Sequence, residues 1–272
     1  MITFPGCKIN LGLRVTARRD DGFHDLESVF YPVPFRDVLE ILPSGDQHCT
    51  LELSGIPLPG KTEDNLCVKA WRLLRDEYGI PGVRMYLHKV IPPGSGLGGG
   101  SSDAAFALKL LSEMFGLGTD PDRLENYAGR LGSDCPFFIR NKPVMATGRG
   151  DRFAAADVSL AGMWLALLLP GIHVQTAEAF RGVSPGRPEY PVSEVVRQPP
   201  GEWKEKLVND FERTIFAVHP ELAVLKERLY ASGALYASMS GSGSAVYGIF
   251  TSDPGPAVLY PGCRQVILPF AR

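Results

Sequence analysis

The stretch "PPGSGLGGGSSDAA", Pro92 to Ala105, decides how the rest of the chain is read. It holds five glycines in fourteen residues, behind two prolines and ahead of two serines and an aspartate. Every glycine adds to the backbone entropy lost on folding, so a run of them marks a place where bare backbone is needed. The preceding "GVRMYLHKVIP" from Gly82 reads as a strand. Downstream, Ala105, Leu108, Leu111 and Phe115 recur at helical spacing, with Ser102 or Asp103 expected as cap and the end before Gly116. A strand, bare glycines and a helix start place unpaired first-turn N–H groups at the positive end of a helix dipole, a geometry that binds phosphate. A flexible linker explains the stretch less well, because linkers rarely join a clear strand to a clear helix.

The spacing excludes a GxxxxGK[ST] loop, since no lysine follows the glycines and Ser101 comes directly after Gly100. A GxGxxG pattern is present at Gly94, Gly96 and Gly99. The acidic residue expected after a following strand is missing, since Asp120 and Asp122 fall in a turn between helices, which argues against a dinucleotide fold.

The whole chain reads as an ordinary soluble protein of 272 residues, 44% hydrophobic and 21% charged, with formal net charge −2. That charge argues against nucleic acid or an anionic membrane as partner. Five scattered cysteines without CxxC or zinc spacing read as reduced thiols, and no targeting segment is visible, so a cytoplasmic protein is expected. The run "MWLALLLP" from Met163 is too short to cross a bilayer and reads as a buried strand.

Along the chain, "CKINLGLRV" alternates as a strand, with Ile9, Leu11, Leu13 and Val15 on one face and Lys8, Asn10 and Arg14 on the other. Asp21-Gly22 marks a turn, and "DVLEILP" and "CTLELSG" look like paired strands. Helices are expected in "EDNLCVKAWRLLRDEYG", stopped by Gly79, and in "PDRLENYAGRLG", started by Pro121. Later come the strand Trp164–Leu169, a Pro-rich loop from Ser184 to Gly201, a helix around "PELAVLKERLYASG", a second glycine–serine loop and a C-terminal strand. The irregular alternation favours a two-domain α+β architecture, with a boundary between Ala154 and Asp157 that separates 1–155 from 156–272.

These segments resemble the GHMP small-molecule kinases over nearly the whole chain. "KINLGLRVTARRDDGFHDLESVFYPV", "EDNL" at Glu63, the glycine loop, "GSDCPFF" at Gly132 and "SGSGSAV" at Ser240 follow the family's order. The "GGGSSDAA" form is similar to the branch acting on a cytidine diphosphate-linked methylerythritol. The resemblance implies an N-terminal domain like domain 2 of ribosomal protein S5, a ferredoxin-like C-terminal domain, ATP and Mg²⁺ as cofactors, and a small-molecule alcohol as substrate. It implies that Asp134 takes the proton from the attacking hydroxyl and that Lys8 holds Asp134 ionised and balances charge on the transferring phosphoryl group. Residues carried over to ATP are Pro93, Gly94, Ser95, Gly96, Leu97, Gly98, Gly99, Gly100, Ser101, Ser102 and Asp103, with Asn65 and Lys89 beside the adenosine. Gly241 and Ser242 would close the phosphate end.

Asn10 would reach the substrate. Phe23 and Phe180 would sandwich the cytosine, His24 would meet its edge, and Thr176 would add a further contact. The family often has tyrosine where Phe23 stands, so stacking is kept while a phenol hydrogen bond is lost. Many members read "GLGSSA", whereas here Gly99 and Gly100 follow "GLG", so no protein ligand to Mg²⁺ is assigned. Read from the residues alone, Lys8 and Asn10 fit a solvated strand face, Asp134 a turn cap, and Phe23 and Phe180 core. The rival functions are a kinase for another alcohol, such as homoserine or a mevalonate derivative, and a non-catalytic nucleotide-binding module. The oligomeric state is left open.

Overall fold

A computed structural model describes residues 1–255 and 260–271. In chain order the strands are β1 (Ile2–Thr3), β2 (Cys7–Arg18), β3 (His24–Val33), β4 (Val38–Pro43), β5 (Cys49–Gly55) and β6 (Val83–Lys89), followed by β7 (Val144–Gly148), β8 (Arg152–Ala155), β9 (Trp164–Leu169), β10 (Tyr236–Met239), β11 (Val246–Phe250) and β12 (Arg264–Pro269). The helices are α1 (Leu66–Tyr78), α2 (Gly99–Met114), α3 (Pro121–Leu131), α4 (Phe137–Arg140), α5 (Thr176–Arg181), α6 (Val192–Val195), α7 (Phe211–Val218) and α8 (Pro220–Ala231). The architecture is the expected α+β one of two compact units.

The first unit comprises Met1–Cys7, Phe35–Pro93 and Gly98–Lys142. Its sheet runs in the order β1-β4-β6-β5, antiparallel except for the parallel pair β5–β6. Strands β4 and β5, expected as partners, are separated by β6. The reason is connectivity: β5 reaches β6 through α1, and a crossover of that kind returns the chain parallel to the strand it left. Helix α1 begins where Asn65 Oδ1 accepts a hydrogen bond from Cys67 N at 2.9 Å. It ends on Gly79 at φ 68°, a left-handed conformation that suits glycine. Asp120 caps α3 in the same way ahead of Pro121, accepting from Arg123 N at 2.8 Å. Leu39, Ile41, Met85 and Leu87 bury the sheet face.

The second unit comprises Lys8–Pro34, Gly94–Leu97 and Pro143–Arg272. One sheet has the order β2-β3-β7-β8 and the other β10-β11-β9-β12. The boundary expected at 155/156 therefore falls inside this unit, because β2 and β3 share a sheet with β7 and β8. An isolated bridge between Leu13 and Asn209 also ties β2 to the later chain. Strand pairing of this range leaves no mark in local composition. The central "WLALLL" of β9 is buried from Leu165 to Leu169, as its uninterrupted apolar run requires. Its sheet packs Ala166, Leu168 and Val246 against Ile215, Leu222, Leu225 and Leu229 of α7 and α8. The Pro-rich stretch from Ser184 to Gly201 contains α6, with Val192 and Val195 buried.

Truncating Leu225, 1% exposed within this core, to alanine should cost about 2–5 kcal/mol. Urea denaturation should show a lowered midpoint at unchanged slope. An unchanged midpoint would mean that the α8 packing contributes little.

Candidate active site

The glycine loop is shared between the units, and each half has its own surroundings. In the first unit α2 begins at Gly99, with Gly98 as N-cap at φ 71°, four residues before the expected Ser102 cap and five before Asp103. Gly99 and Gly100 thus open the first helical turn. A Cβ on Gly99 would stand 2.8 Å from Ile91 Cγ2, whereas one on Gly100 would meet open space. The mouth of α2 accordingly offers unscreened N–H groups beside Gly100. Pro93, Gly100 and Asp103 line a cavity of about 250 Å³ together with Asn65, Leu66 and Lys89. Five residues assigned from sequence to one ligand therefore share one cavity.

Lys89 is spent inside the fold. Its ammonium bonds Asp37 and, at 2.6 Å, Asp103, with all three side chains buried. Asp37 also accepts from Val90 N at 2.5 Å and Ile91 N at 2.8 Å, which braces the end of β6 where the glycine loop departs. Burial pushes the Asp103 carboxyl up to about 7; Lys89 opposes the rise and the Asp37 carboxylate adds to it. The two carboxylates raise the Lys89 ammonium despite its burial. Asp103 Oδ1 and the Ser102 hydroxyl are buried without a hydrogen-bond partner. The Ser101 hydroxyl bonds the Cys135 thiol, which burial raises to about 11. Because Asp134 precedes Cys135, that bond ties the Asp134 turn, between α3 and α4, to the first turn of α2.

In the second unit Lys8 and Asn10 leave the same face of β2, as their spacing requires, and both are buried rather than solvated. Lys8 Nζ donates to Asn10 Oδ1 at 2.5 Å and lies 4.7 Å from the centroid of Phe30. Asn10 Nδ2 donates to Ser28 Oγ at 2.8 Å, and Ser28 donates onward to Gly12 O at 2.6 Å. The second glycine–serine loop meets Gly94–Leu97 backbone to backbone. Ser240 Oγ donates to Gly96 O at 3.0 Å and accepts from Asn10 N at 3.3 Å. Lys8 N donates to Leu97 O at 2.9 Å, and Ala245 N to Ser95 O at 3.1 Å. A Cβ on Gly96 would stand 1.9 Å from Ser240 O, and one on Gly241 3.1 Å from Gly96 O.

Thr176 and Ser242 are neighbours, with hydroxyl oxygens 3.4 Å apart. His173, which the sequence did not single out, lies over Gly94; a Cβ there would be 2.7 Å from its Nδ1. The aromatic residues are arranged differently from a simple sandwich. His24 stacks on Phe180 at 4.7 Å and 20°, and Phe180 meets Phe211 edge-on. Phe23 is exposed, with the Arg149 guanidinium 4.2 Å from its centroid. Ser28, Asp37, Asn209 and Ser240 were also missed, since hydrogen bonds that span the chain have no local signature; "SGSGSAV" was the one signal that could have led to Ser240.

The profile for the GHMP kinases N terminal domain matches residues 65–142, and that for GHMP kinases C terminal matches residues 192–265. A Parabacteroides distasonis protein named 4-diphosphocytidyl-2-C-methyl-D-erythritol kinase is 51% identical over 250 residues, covering 92% of each chain. A Bacteroides thetaiotaomicron protein of the same name is 51% identical over 255 residues, covering 93% of each. A crystal structure of 4-(cytidine 5'-diphospho)-2C-methyl-D-erythritol kinase superposes with TM-score 0.85 at 31% identity over 98% of both chains. The mevalonate kinase of Methanococcus jannaschii, at TM-score 0.74 and 13% identity, shares the fold.

Two outcomes follow from this geometry. Gly96→Ala should force the loops apart, because its φ of 78° and the Ser240 carbonyl both exclude a methyl group. Amide exchange at residues 94–97 and 240–245 should then quicken; unchanged exchange would show that the contact yields freely. For Asp103, a raised pKa means that the folded state holds the proton more tightly than the unfolded state, between the ordinary value of 3.8 and about 7. Its contribution to stability therefore falls as pH rises through that window. The Tm of Asp103→Asn relative to the natural protein should climb from pH 4 to pH 7 and then level off. A difference independent of pH would sink this reading of the Asp37–Lys89–Asp103 cluster.

Proposed function

The chain belongs to the GHMP kinases, and from that membership we propose that it transfers the γ-phosphoryl group of ATP to the 2-hydroxyl of 4-diphosphocytidyl-2-C-methyl-D-erythritol. The observation that carries the reading is the backbone-on-backbone contact of two glycine loops beside Lys8 and Asn10. At the mouth of α2, in turn, a Cβ on Gly100 would meet open space, so bare backbone at a helix N-terminus is open to a polyphosphate. Use of ATP follows from the family. Relatives bearing this kinase's name, at half identity over more than nine-tenths of the chain, support the choice of alcohol.

Phosphoryl transfer asks a protein for positioning and charge rather than for a covalent nucleophile. Asp134 takes the proton of the attacking hydroxyl. Lys8, aligned by Asn10, stabilises charge on the transferring group. Gly98–Asp103 and Gly94–Leu97 hold the phosphates with backbone N–H groups, Asn65 lies beside the adenosine, and Gly241 and Ser242 close the phosphate end. Lys89 acts indirectly, by fixing the mouth of α2.

The side chains at that mouth do not fit a protein-held Mg²⁺. The Ser101 hydroxyl is taken by Cys135 and the Ser102 hydroxyl is wholly buried. The ion therefore belongs with the phosphate oxygens and water, and no step runs through a protein ligand. Phe180 with His24, and Phe23 with Arg149, supply the stacking surfaces for the cytosine, and Thr176 a polar contact. We place the reaction in the cytoplasm, as a step of non-mevalonate isoprenoid precursor synthesis. No described helix is long and apolar enough to cross a membrane.

Purified protein with Mg·ATP should release ADP on adding the cytidyl alcohol and not on adding homoserine or mevalonate. Asp134→Asn should lower kcat by at least about a hundredfold, since general acid–base catalysis contributes 10²–10⁴. Phe180→Ala should raise KM for the cytidyl alcohol about tenfold and leave KM for ATP unchanged. Turnover on a different alcohol alone would keep the kinase and discard the cytidine assignment.

A further inference from the structure

The segment Asn209-Asp210-Phe211-Glu212, which runs from the bridge to β2 into the first turn of α7, lies outside every residue assigned to the reaction. Its polar side chains nevertheless converge on the two elements that carry it. Asn209 is 3% exposed, and its Nδ2 donates to Met239 O and to Gly241 O, both at 2.8 Å. Its Oδ1 accepts from Phe211 N at 3.0 Å, so the amide orientation is determined. Glu212, 8% exposed, accepts from Met239 N at 2.8 Å and from Ser238 Oγ at 3.0 Å, and pairs with Lys226 at 2.6 Å. Asp210 grips the other side. Its N donates to Leu13 O at 2.8 Å, and its carboxylate accepts from Val15 N at 2.8 Å and pairs with Arg14 at 3.0 Å.

Asn209, Asp210 and Glu212 thus bind β2 a few positions beyond Lys8 and Asn10, and bind the chain on both sides of Ser240. Ser240 is the residue whose hydroxyl joins Asn10 N to Gly96 O. A buried amide that uses both N–H groups on carbonyls two residues apart sets the curvature of the loop between them. Each lost bond of that kind leaves a buried carbonyl unsatisfied.

We propose that Asn209 and Glu212 are positioning residues for phosphoryl transfer, holding the Ser240–Ser244 loop in register with the strand that carries Lys8 and Asn10. The proposal rests on the kinase reading above. It assigns these residues to the transfer step and not to capture of the alcohol, because their bonds around Ser240 end on Ser238, Met239 and Gly241, at the entry to the loop, and on no residue assigned to the alcohol.

Asn209→Asp is nearly isosteric and keeps the acceptor for Phe211 N, while both donors to the loop are lost. It should lower kcat at least tenfold, with KM for the cytidyl alcohol within twofold of the natural value, at a temperature where circular dichroism shows it folded. Amide exchange at residues 240–245 should quicken. The Glu212 pair gives an independent arm should Asn209→Asp fail to fold. Glu212→Gln keeps the acceptor for Met239 N and Ser238 and should retain most of kcat, although the Lys226 ion pair is lost. Glu212→Ala should lose kcat at least tenfold. A folded Asn209→Asp protein with kcat within twofold, or Gln and Ala at 212 equally impaired, would overturn the assignment. If the natural protein phosphorylates none of the alcohols, the kinase reading fails on its own. Exchange at 240–245 still decides the clamp, and no acceleration in Asn209→Asp would overturn it.

Discussion

The Ser240 carbonyl can approach the chain at Gly96 only because Gly96 carries no side chain, and this contact governs the second unit. The Gly96 carbonyl and the Ser240 hydroxyl are 3.0 Å apart, and a methyl on Gly96 would overlap the Ser240 carbonyl. The entropic cost of the glycines is therefore offset by a surface of peptide groups that no other residue type could present. Ser240 adds Asn10 to the same junction, and Lys8 N donates to Leu97 O beside it, so β2 is joined to both loops.

Buried charge is handled differently in the two units. Lys89 shares its ammonium between Asp37 and Asp103, and the protonation behaviour of Asp103 follows from two carboxylates in a place that admits little water. That cluster fixes where β6 ends and α2 begins. Lys8 instead lies against the amide of Asn10 and the face of Phe30. Two lysines that sequence reading groups together as site residues thus have distinct surroundings: Lys89 braces the start of α2 through two carboxylates, whereas Lys8 is the one we propose for the transfer step.

Much was legible beforehand because its causes are local. The glycine loop declared itself by composition and by the strand and helix around it. Gly79 and Pro121 marked helix ends through backbone conformations set by the residues themselves. Lys8 and Asn10 share a face because a strand repeats every two residues. The start of α2 was read too late because Ser102 and Asp103 look like caps, yet Ser102 is buried and Asp103 turns to Lys89. Helices α5 and α7 escaped notice, being only 6 and 8 residues long.

The sequence by itself determined the family, through motifs in the family's order along nearly the whole chain, and the α+β class, through strand and helix patterns at short spacing. Tertiary structure alone decided that β6 separates β4 from β5, that β2 and β3 share a sheet with β7 and β8, and that His24 stacks on Phe180 while Phe23 lies under Arg149. It alone brought Asn209 and Glu212 to the loop around Ser240. The physical reason is the same throughout: a hydrogen bond or ring contact between residues far apart in the chain depends on where the backbone returns, and no local pattern encodes that return.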